Sequence, residues 1–593
     1  MLGKRKKQRD LFDVGNVFPL ELPPHTFHAQ LAKVAPTLFP DADFADLYSP
    51  ERGRPSVPPS QLALLMLLQY QACVSDEEAV ARSAYDLRWA AVLGRFAGQP
   101  LCARTTLVLF RARLVLNEAM ERLFDRSVQH ARDAGLLKGK AIQLVLDTRP
   151  IVGRGAVEDT YNLIARAMDR LLRELARQAG QEPDVWAAAH DLTSYLRRRE
   201  ASLKGSTAID WSNPRERQAF LGTLVQDARR LLGLAEPVLT ALGAAADRDV
   251  RAEFELLTQI LAQDVTERER PDAPPQAEIT EGTTKDRQPS ATDPDQRHGH
   301  KSASKKFTGH KARVAVDQES QIITDMEVLA GNAADAQDAL AQVEAVEART
   351  GLPVESTTGD CAFGSGATRQ AFADAERVLH AKVPAEAVRP GELPKSRFKL
   401  HWDDDQVVAV TCPNGRTTRE FTEPKSGGRI FTFAAFTGSD CKRCPLRFNC
   451  TKRKEGRTVT IHPQEVLLRA AREFQASPEG RQVLQDRVVA EHTLARLARL
   501  GIGQARYVGR KKTRVQLLMA AAVVNFRWTW NWEARAGPSD PGARLVRALR
   551  RLWGGLATPE WQIALLRGGG IPQHRQRKRL GWTALKPLFC HYF

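Results

Sequence analysis

Residues 141–153 read AIQLVLDTRPIVG. An apolar run of strand length ends in a single carboxylate, Asp147, and a proline follows soon after, so a buried strand stopping at Asp147 is expected here. On either side the sequence keeps a helical rhythm, so this run starts a sheet inside a largely helical chain. The next strand candidates come much later. KFTGHKARVAVD (306–317) and QIITDMEVLAG (321–331) are separated by a short polar turn and read as an antiparallel hairpin. AADAQDALAQVEAVEART (333–350) reads as a helix, and LPVESTTGD (352–360) as a further strand that again ends in an aspartate, Asp360. If the two aspartate-ending strands are parallel neighbours, both carboxylates reach the same sheet edge, where α/β sheets bind their ligands. Taken alone, Asp360 before the turn CAFGSG equally suits a helix cap.

Around this core the chain reads as α/β with helical additions. Residues 1–135 form a helical N-terminal region. Ser60 stands as a candidate N-cap before LALLMLLQY, and Ser75 with Glu78 as a capping box. Its helix-turn-helix rhythm suits either DNA contact or simple packing. Residues 136–158 supply the first core strand. Residues 159–296 read as an inserted helical bundle, with runs such as YNLIARAMDRLLRELARQAG, followed by a proline-rich polar stretch at 270–296 expected to be a mobile connector. Residues 297–397 resume the core, 398–462 read as a β-rich insertion bearing cysteines, 463–535 as helices, and 536–593 as a basic tail.

The balance of 87 Lys and Arg against 70 Asp and Glu gives a net charge of +17, which favours a polyanionic partner, nucleic acid first. The excess is clustered in GKRKKQR (3–9), RYVGRKKTR (506–514) and RGGGIPQHRQRKR (567–579). The longest apolar runs are about half the roughly 20 residues that a membrane span needs, so no membrane partner is expected. No secretory signal pattern stands at the N-terminus, which points to a reducing cytoplasm and to cysteines that are thiols or ligands. Cys412 in TCPNG and Cys441, Cys444 and Cys450 in CKRCPLRFNC suit a structural Zn²⁺ site, with His462 as a substitute ligand for Cys450; the alternative is four unliganded thiols. Cys73, Cys102, Cys361 and Cys590 are scattered and read as core or incidental.

A third carboxylate comes from QVLQDRVVAEHTLARLARLG (482–501). On a helix, Arg487 lies four residues before Glu491 and Arg499 eight after, so all three share roughly one face. This is either a surface ion-pair stripe or a helix-borne acid completing a metal site with Asp147 and Asp360. The following segment offers Arg506, Tyr507, Arg510, Lys511, Lys512 and Arg514 for DNA, with Tyr507 placed to stack on a splayed base. Lys305, Lys306 and Lys311 near the hairpin are further candidates.

Taken in order, LGKRKKQRDLF, GRPSVPPSQLALLMLLQY, LVLDTRPIVG, DPDQRHGHKSASKKFTGHKARVAVD, VLAGNAADAQ, TTGDCAFGSG, the cysteine cluster and RVVAEHTLARLARLGIGQARYVGRKKTRVQLLMAAAVVNF resemble the DDE insertion-sequence transposases, in the group with a tyrosine-arginine-glutamate-lysine signature. The resemblance implies an RNase H-like mixed sheet as the catalytic core, with Asp147, Asp360 and Glu491 as the acids holding Mg²⁺ or Mn²⁺, and Arg487 as the signature arginine. It departs from the pattern where Leu484 replaces the tyrosine and Ala498, beside Arg499, replaces the lysine. Phe363 stands for the usual tyrosine after the second aspartate, and Gly309–Lys311 reads GHK for the usual GYK. The implied partners are double-stranded DNA, at element ends and target, and a second copy of the chain in a dimer or larger complex at the bacterial nucleoid. A transposase-derived DNA-binding protein without catalysis, and a nuclease of the same fold that cuts without joining, are the alternatives.

Overall fold

The computed structural model describes residues 1–5, 22–51, 53–196, 202–242, 248–270, 273–282, 284, 286–302, 304–383, 391–422 and 432–536. Most of the basic tail expected at 536–593, with Cys590, and the second half of the N-terminal basic run lie outside these residues. The chain divides into a unit spanning Met1–Trp530 and a second, Asn531–Phe593.

Among the described residues six α-helices come first: α1 (Phe27–Leu38), α2 (Pro59–Ala72), α3 (Asp76–Tyr85), α4 (Leu87–Leu93), α5 (Arg104–Leu116) and α6 (Arg122–Asp133). The apolar run Leu62–Leu68 makes α2 buried all round, as a helix without a polar face must be. Ser60 does not cap it. The helix begins one residue earlier, at Pro59, where the fixed proline φ suits the first turn, and the orphan Ser60 amide donates to Asp41 Oδ1 at 2.9 Å. Ser75 does cap α3, accepting from the Glu78 amide at 3.1 Å, while the Glu78 carboxylate turns to Arg82 and Tyr85.

The central sheet is built from β1 (Ile142–Val152), β4 (Arg297–His300), β5 (Lys306–Asp317), β6 (Ile323–Ala330), β7 (Val354–Gly359) and β8 (Leu379–Ala381). β1 pairs antiparallel with β5 on one side and parallel with β7 on the other, β8 continues parallel beyond β7, and β4 and β6 both pair with β5. Three antiparallel strands followed by two parallel ones, with helix α12 (Ala339–Thr350) between β6 and β7, is an RNase H-like core. Ile142, Leu144 and Leu146 point to one face, where they pack with Val343, Val346 and Phe363. Val145 and Asp147 take the other, as the two-residue strand period requires.

β1 does not stop at Asp147. It runs on through Pro150 to Val152. The Val152 amide points away from β5, to the Gly503 carbonyl at 2.9 Å, and Pro150 shares that orientation two residues earlier, so its missing N–H faces the side β5 does not use. Gly309 of β5 pairs with Val152 on one side and Arg297 on the other. A Cβ at Gly309 would fall 2.1 Å from the Ile151 carbonyl oxygen, and its φ of +153° also favours glycine.

Between Val152 and Arg297 the chain forms α7 (Thr160–Gln178), α8 (Pro183–Ala189), α9 (Leu203–Ser206), α10 (Pro214–Leu242) and α11 (Arg248–Asp264), then a hairpin of β2 (Val265–Arg270) and β3 (Ala273–Ile279). Leu163, Met168, Leu171, Leu224, Leu231 and Leu257 anchor a hydrophobic cluster of this segment's own. The stretch expected as a mobile connector is instead a hairpin followed by buried chain: Ser290, Ala291, Asp293 and Gln296 have no solvent exposure. Its polar groups find partners that composition does not reveal, among them Arg287 with Asp264 and Gln288 with Gln263.

After β7 come α13 (Gly366–Asp374), the short strands β9 (Lys399–Asp403), β10 (Gln406–Thr411), β11 (Thr417–Thr418), β12 (Phe421–Thr422), β13 (Thr432–Ala435) and β14 (Thr458–Ile461), and the short helices α14 (Gly438–Lys442) and α15 (Arg447–Cys450). Phe398, Val410, Ala434, Phe436, Val459 and Ile461 form their small core. Helices α16 (Glu465–Ala476), α17 (Pro478–Asp486), α18 (Val488–Ala498) and α19 (Arg510–Ala536) complete the described fold. Among the described residues no helix is long and apolar enough to cross a membrane.

One arginine joins the N-terminal helices to the sheet. Arg349, at the end of α12 and 8% exposed, meets Glu121, Asp125 at 2.6 Å and the fully buried Asp325 of β6. Asn525 of α19 adds a second joint, bonding both the amide and the carbonyl of Ile323 at 2.9 Å and so satisfying the edge of β6. Replacing Arg349 by methionine would leave Asp325 buried without its cation, and we expect a loss of about 3–5 kcal/mol in denaturant unfolding; a loss under about 1 kcal/mol would contradict this role.

Candidate active site

The register of β1 and β7 fixes two of the acids. The last paired residues are Val145 and Thr358. Asp147, within β1, and Asp360, just past the end of β7, each lie two residues beyond that pair, which brings both to the same end of two adjacent parallel strands. The turn that follows is tight: a Cβ on Gly359 would meet the Phe363 ring at 2.6 Å, and Phe363 is fully buried beneath it. Asp360 also does what its local sequence suggested, accepting from the Ala362 amide at 2.9 Å. That bond leaves its second carboxylate oxygen for other work.

Glu491 arrives on α18, which packs on β1 and β5. Arg496 ties this helix to the sheet side through Gln321 at 2.7 Å and lies 4.0 Å above the Trp528 ring. Arg487, the helical residue between α17 and α18, spans two of the acids: one guanidinium nitrogen donates to Asp147 Oδ2 at 3.1 Å and the other to Glu491. The Glu491 side chain is about half exposed, whereas Asp147 is buried. Burial pushes the Asp147 carboxyl up to about 6; the Thr148 amide, donating at 2.8 Å, and Arg487 oppose the rise, while the charges of Asp360 and Glu491 add to it. No sequence pattern marks a backbone donor such as Thr148.

Three carboxylates on two strands and a helix offer hard oxygen donors, the chemistry that Mg²⁺ or Mn²⁺ requires. Among the described residues, however, no three His, Cys, Asp or Glu side chains stand together in metal-holding geometry. Here the Arg487 guanidinium supplies the positive charge between Asp147 and Glu491. Leu484, at the signature tyrosine position, is buried and carries no polar group into the site.

The basic residues singled out in the sequence part into two groups. Arg506 and Tyr507 turn inward: the Tyr507 hydroxyl meets that of Tyr70 at 3.0 Å, the Arg111 guanidinium lies 4.8 Å from the Tyr507 ring centre, and Arg506 donates to the Val74 carbonyl. They form a joint between the N-terminal helices and the loop after α18, and one face of the Tyr507 ring is thereby covered. Lys311 pairs with Asp335 at 2.6 Å, and Arg514 with Glu121 and Glu327. Lys305, Lys306, Arg499, Arg510, Lys511 and Lys512 are exposed, Arg510 with Asp295 3.8 Å away.

Cys412, Cys441, Cys444 and Cys450 line one cavity of about 30 Å³. Burial pushes the Cys450 thiol up; nearby Arg457 opposes this, and the other three thiols add to it. His462 lies elsewhere, accepting from the Gln464 amide at 3.1 Å in the turn into α16. Cys361, beside Asp360, is exposed and Cys102 is buried.

Since the raised Asp147 carboxyl favours its neutral form in the folded state, it costs the native state stability as pH rises from about 4 through 6. In chelator, Asp147→Asn should therefore match the parent protein below pH 4 and exceed it above pH 6 by up to about 3 kcal/mol in thermal or denaturant unfolding. A variant less stable than the parent at pH 7 would contradict this account.

A Transposase DDE domain model matches residues 411–530, and a Transposase domain (DUF772) model matches residues 20–113. The first match takes in the four clustered cysteines, Glu491 and most of α19, and the second most of the N-terminal helices; Asp147 and Asp360 lie between them. No curated protein and no solved structure matches the chain. Two stretches of the chain are thus similar to transposase domains, one on either side of strands that form an RNase H-like sheet.

Proposed function

We propose that this chain is a DDE insertion-sequence transposase that binds the terminal inverted repeats of its element, cuts DNA at the element ends and joins them to target DNA, with Asp147, Asp360 and Glu491 as the acids that hold its divalent cations. The observation that carries the reading is that Asp147 and Asp360 share one end of two adjacent parallel strands, with Glu491 linked to Asp147 through Arg487. Two carboxylates on a rigid sheet hold position well, and a half-exposed glutamate on the helix above can close on whatever they bind. Bound Mg²⁺ or Mn²⁺ would supply the charge that activates the attacking oxygen and stabilises the leaving one in phosphoryl transfer. Arg487 neutralises Asp147 and Glu491 without a metal and, once released from them, would be free to meet a DNA phosphate. Pairing two element ends requires at least two copies of the chain, acting at the bacterial nucleoid.

Asp360→Asn and Glu491→Gln should each lower end cleavage and strand transfer by at least about 10³-fold while leaving affinity for end DNA within about threefold, since the lost acids act on the reaction rather than on docking. Normal cutting by either variant in an Mg²⁺ assay with native ends would sink the assignment. For the cysteine module we propose a structural Zn²⁺ held by Cys412, Cys441, Cys444 and Cys450, supported by their convergence on one cavity in a module with a small core. Protein purified under reducing conditions should carry about one zinc per chain, and Cys441→Ser with Cys444→Ser should lose it; metal-free parent protein that is fully folded would overturn the proposal.

A further inference from the structure

The cysteine module carries a feature that the catalytic site does not use. Between Cys444 and Cys450 the chain makes the short turn PLRFN, and at its tip Phe448 is 90% exposed, with Leu446 beside it at 39%. A single exposed apolar side chain is ordinary. This one is set apart by its support and its surroundings.

The support is firm: the Thr451 amide donates to the Arg447 carbonyl at 3.1 Å, the Arg447 amide to the Cys444 carbonyl at 3.1 Å, and the Arg447 guanidinium to the Arg453 carbonyl at 3.2 Å. Cys450, two residues after Phe448, is buried among the thiols below. The turn is thus pinned at both ends and holds its ring outward. The surroundings in sequence are cationic. Lys442 and Arg443 just before the turn in sequence, and Lys452 and Lys454 just after it, are exposed, and none of the four makes an ion pair among the described residues. The carboxylates closest in sequence are Asp440, which binds Thr437 and faces Arg416, and Glu455.

We infer that this tip is a DNA-contacting wedge, with Phe448 inserting against a base step of duplex DNA and the four cations gripping the flanking phosphates. Apolar wedges that partly unstack a base step work only where cations hold the backbone on either side, and both parts are present here. Charge selects the partner: an acidic polymer complements these four cations, whereas an apolar protein groove would leave them without partners. The inference rests on the transposase reading and extends it from the acids to a surface that no family match assigns.

The test uses the full-length protein and a fluorescent duplex carrying the native element end, with affinity measured by anisotropy over a range of salt. Phe448→Ala should weaken binding roughly 5- to 100-fold with an unchanged salt slope, and Phe448→Trp should restore it. Replacing Lys442, Arg443, Lys452 and Lys454 together by alanine should flatten the salt slope by about 3 to 4. Because Phe448 supports no core, its variants should unfold at the parent temperature. If the parent protein binds the duplex and Phe448→Ala binds equally well, the wedge is wrong and the transposase reading stands. Loss of self-association by Phe448→Ala at unchanged DNA affinity would assign the tip to a protein contact and likewise overturn the wedge. If the parent protein binds no duplex at all, both readings fall.

Discussion

Strand β1 is held from both sides, and the site depends on that double pairing. β5 fixes it antiparallel over Leu144–Val152, and β7 fixes it parallel over Ile142–Val145. A slip of one residue against either neighbour would turn Leu144 and Leu146 out of the core beside Val343 and Phe363 and point Asp147 into it. The cost of taking two leucines from their partners and setting a carboxylate among apolar side chains is what holds Asp147 at the same end of the sheet as Asp360. The same register carries α18 to its place, because that helix packs on β1 and β5 together.

Several arginines at the joints of the fold bind carboxylates of the protein itself. Arg349 binds three carboxylates, Arg514 two, and Arg487 both Asp147 and Glu491. Of the basic residues near the core, those on buried joints are neutralised, and those at loop and helix ends remain open to solvent. A net charge of +17 therefore reaches DNA through a limited set of surfaces, and a count of lysines and arginines does not locate them.

Much of this was legible in the sequence. β5, β6 and β7 carry apolar runs bounded by turns, and they form where those runs stand. β4 and β8 were not legible, because RHGH and LHA are too short to show any period and owe their strand form to the neighbours they pair with. Pro150 reads as a stop, yet it sits inside β1 because its side of the strand asks for no donor there. The buried chain after β3 was read as a linker since its apolar content is low; its burial rests on particular hydrogen bonds instead. Likewise, the sequence offered Tyr507 and Arg506 as an aromatic and a cation in a basic loop, and nothing in their spacing tells that Tyr70 and Arg111 come across to meet them.

Gly309 is the shared neighbour of Val152 and Arg297, the residues at which the chain leaves the sheet for the long helical segment and returns from it. Two points flanking one residue on a central strand stand about 10 Å apart, twice the spacing of adjacent strands. The segment has its own apolar interior and, beyond these two anchor points, meets the sheet region where Asp293 lies beside His310 and Asn332 donates to Asp286. A shorter or different helical segment that keeps its two ends this close should therefore leave the pairing of β1 with β5 and β7 in place.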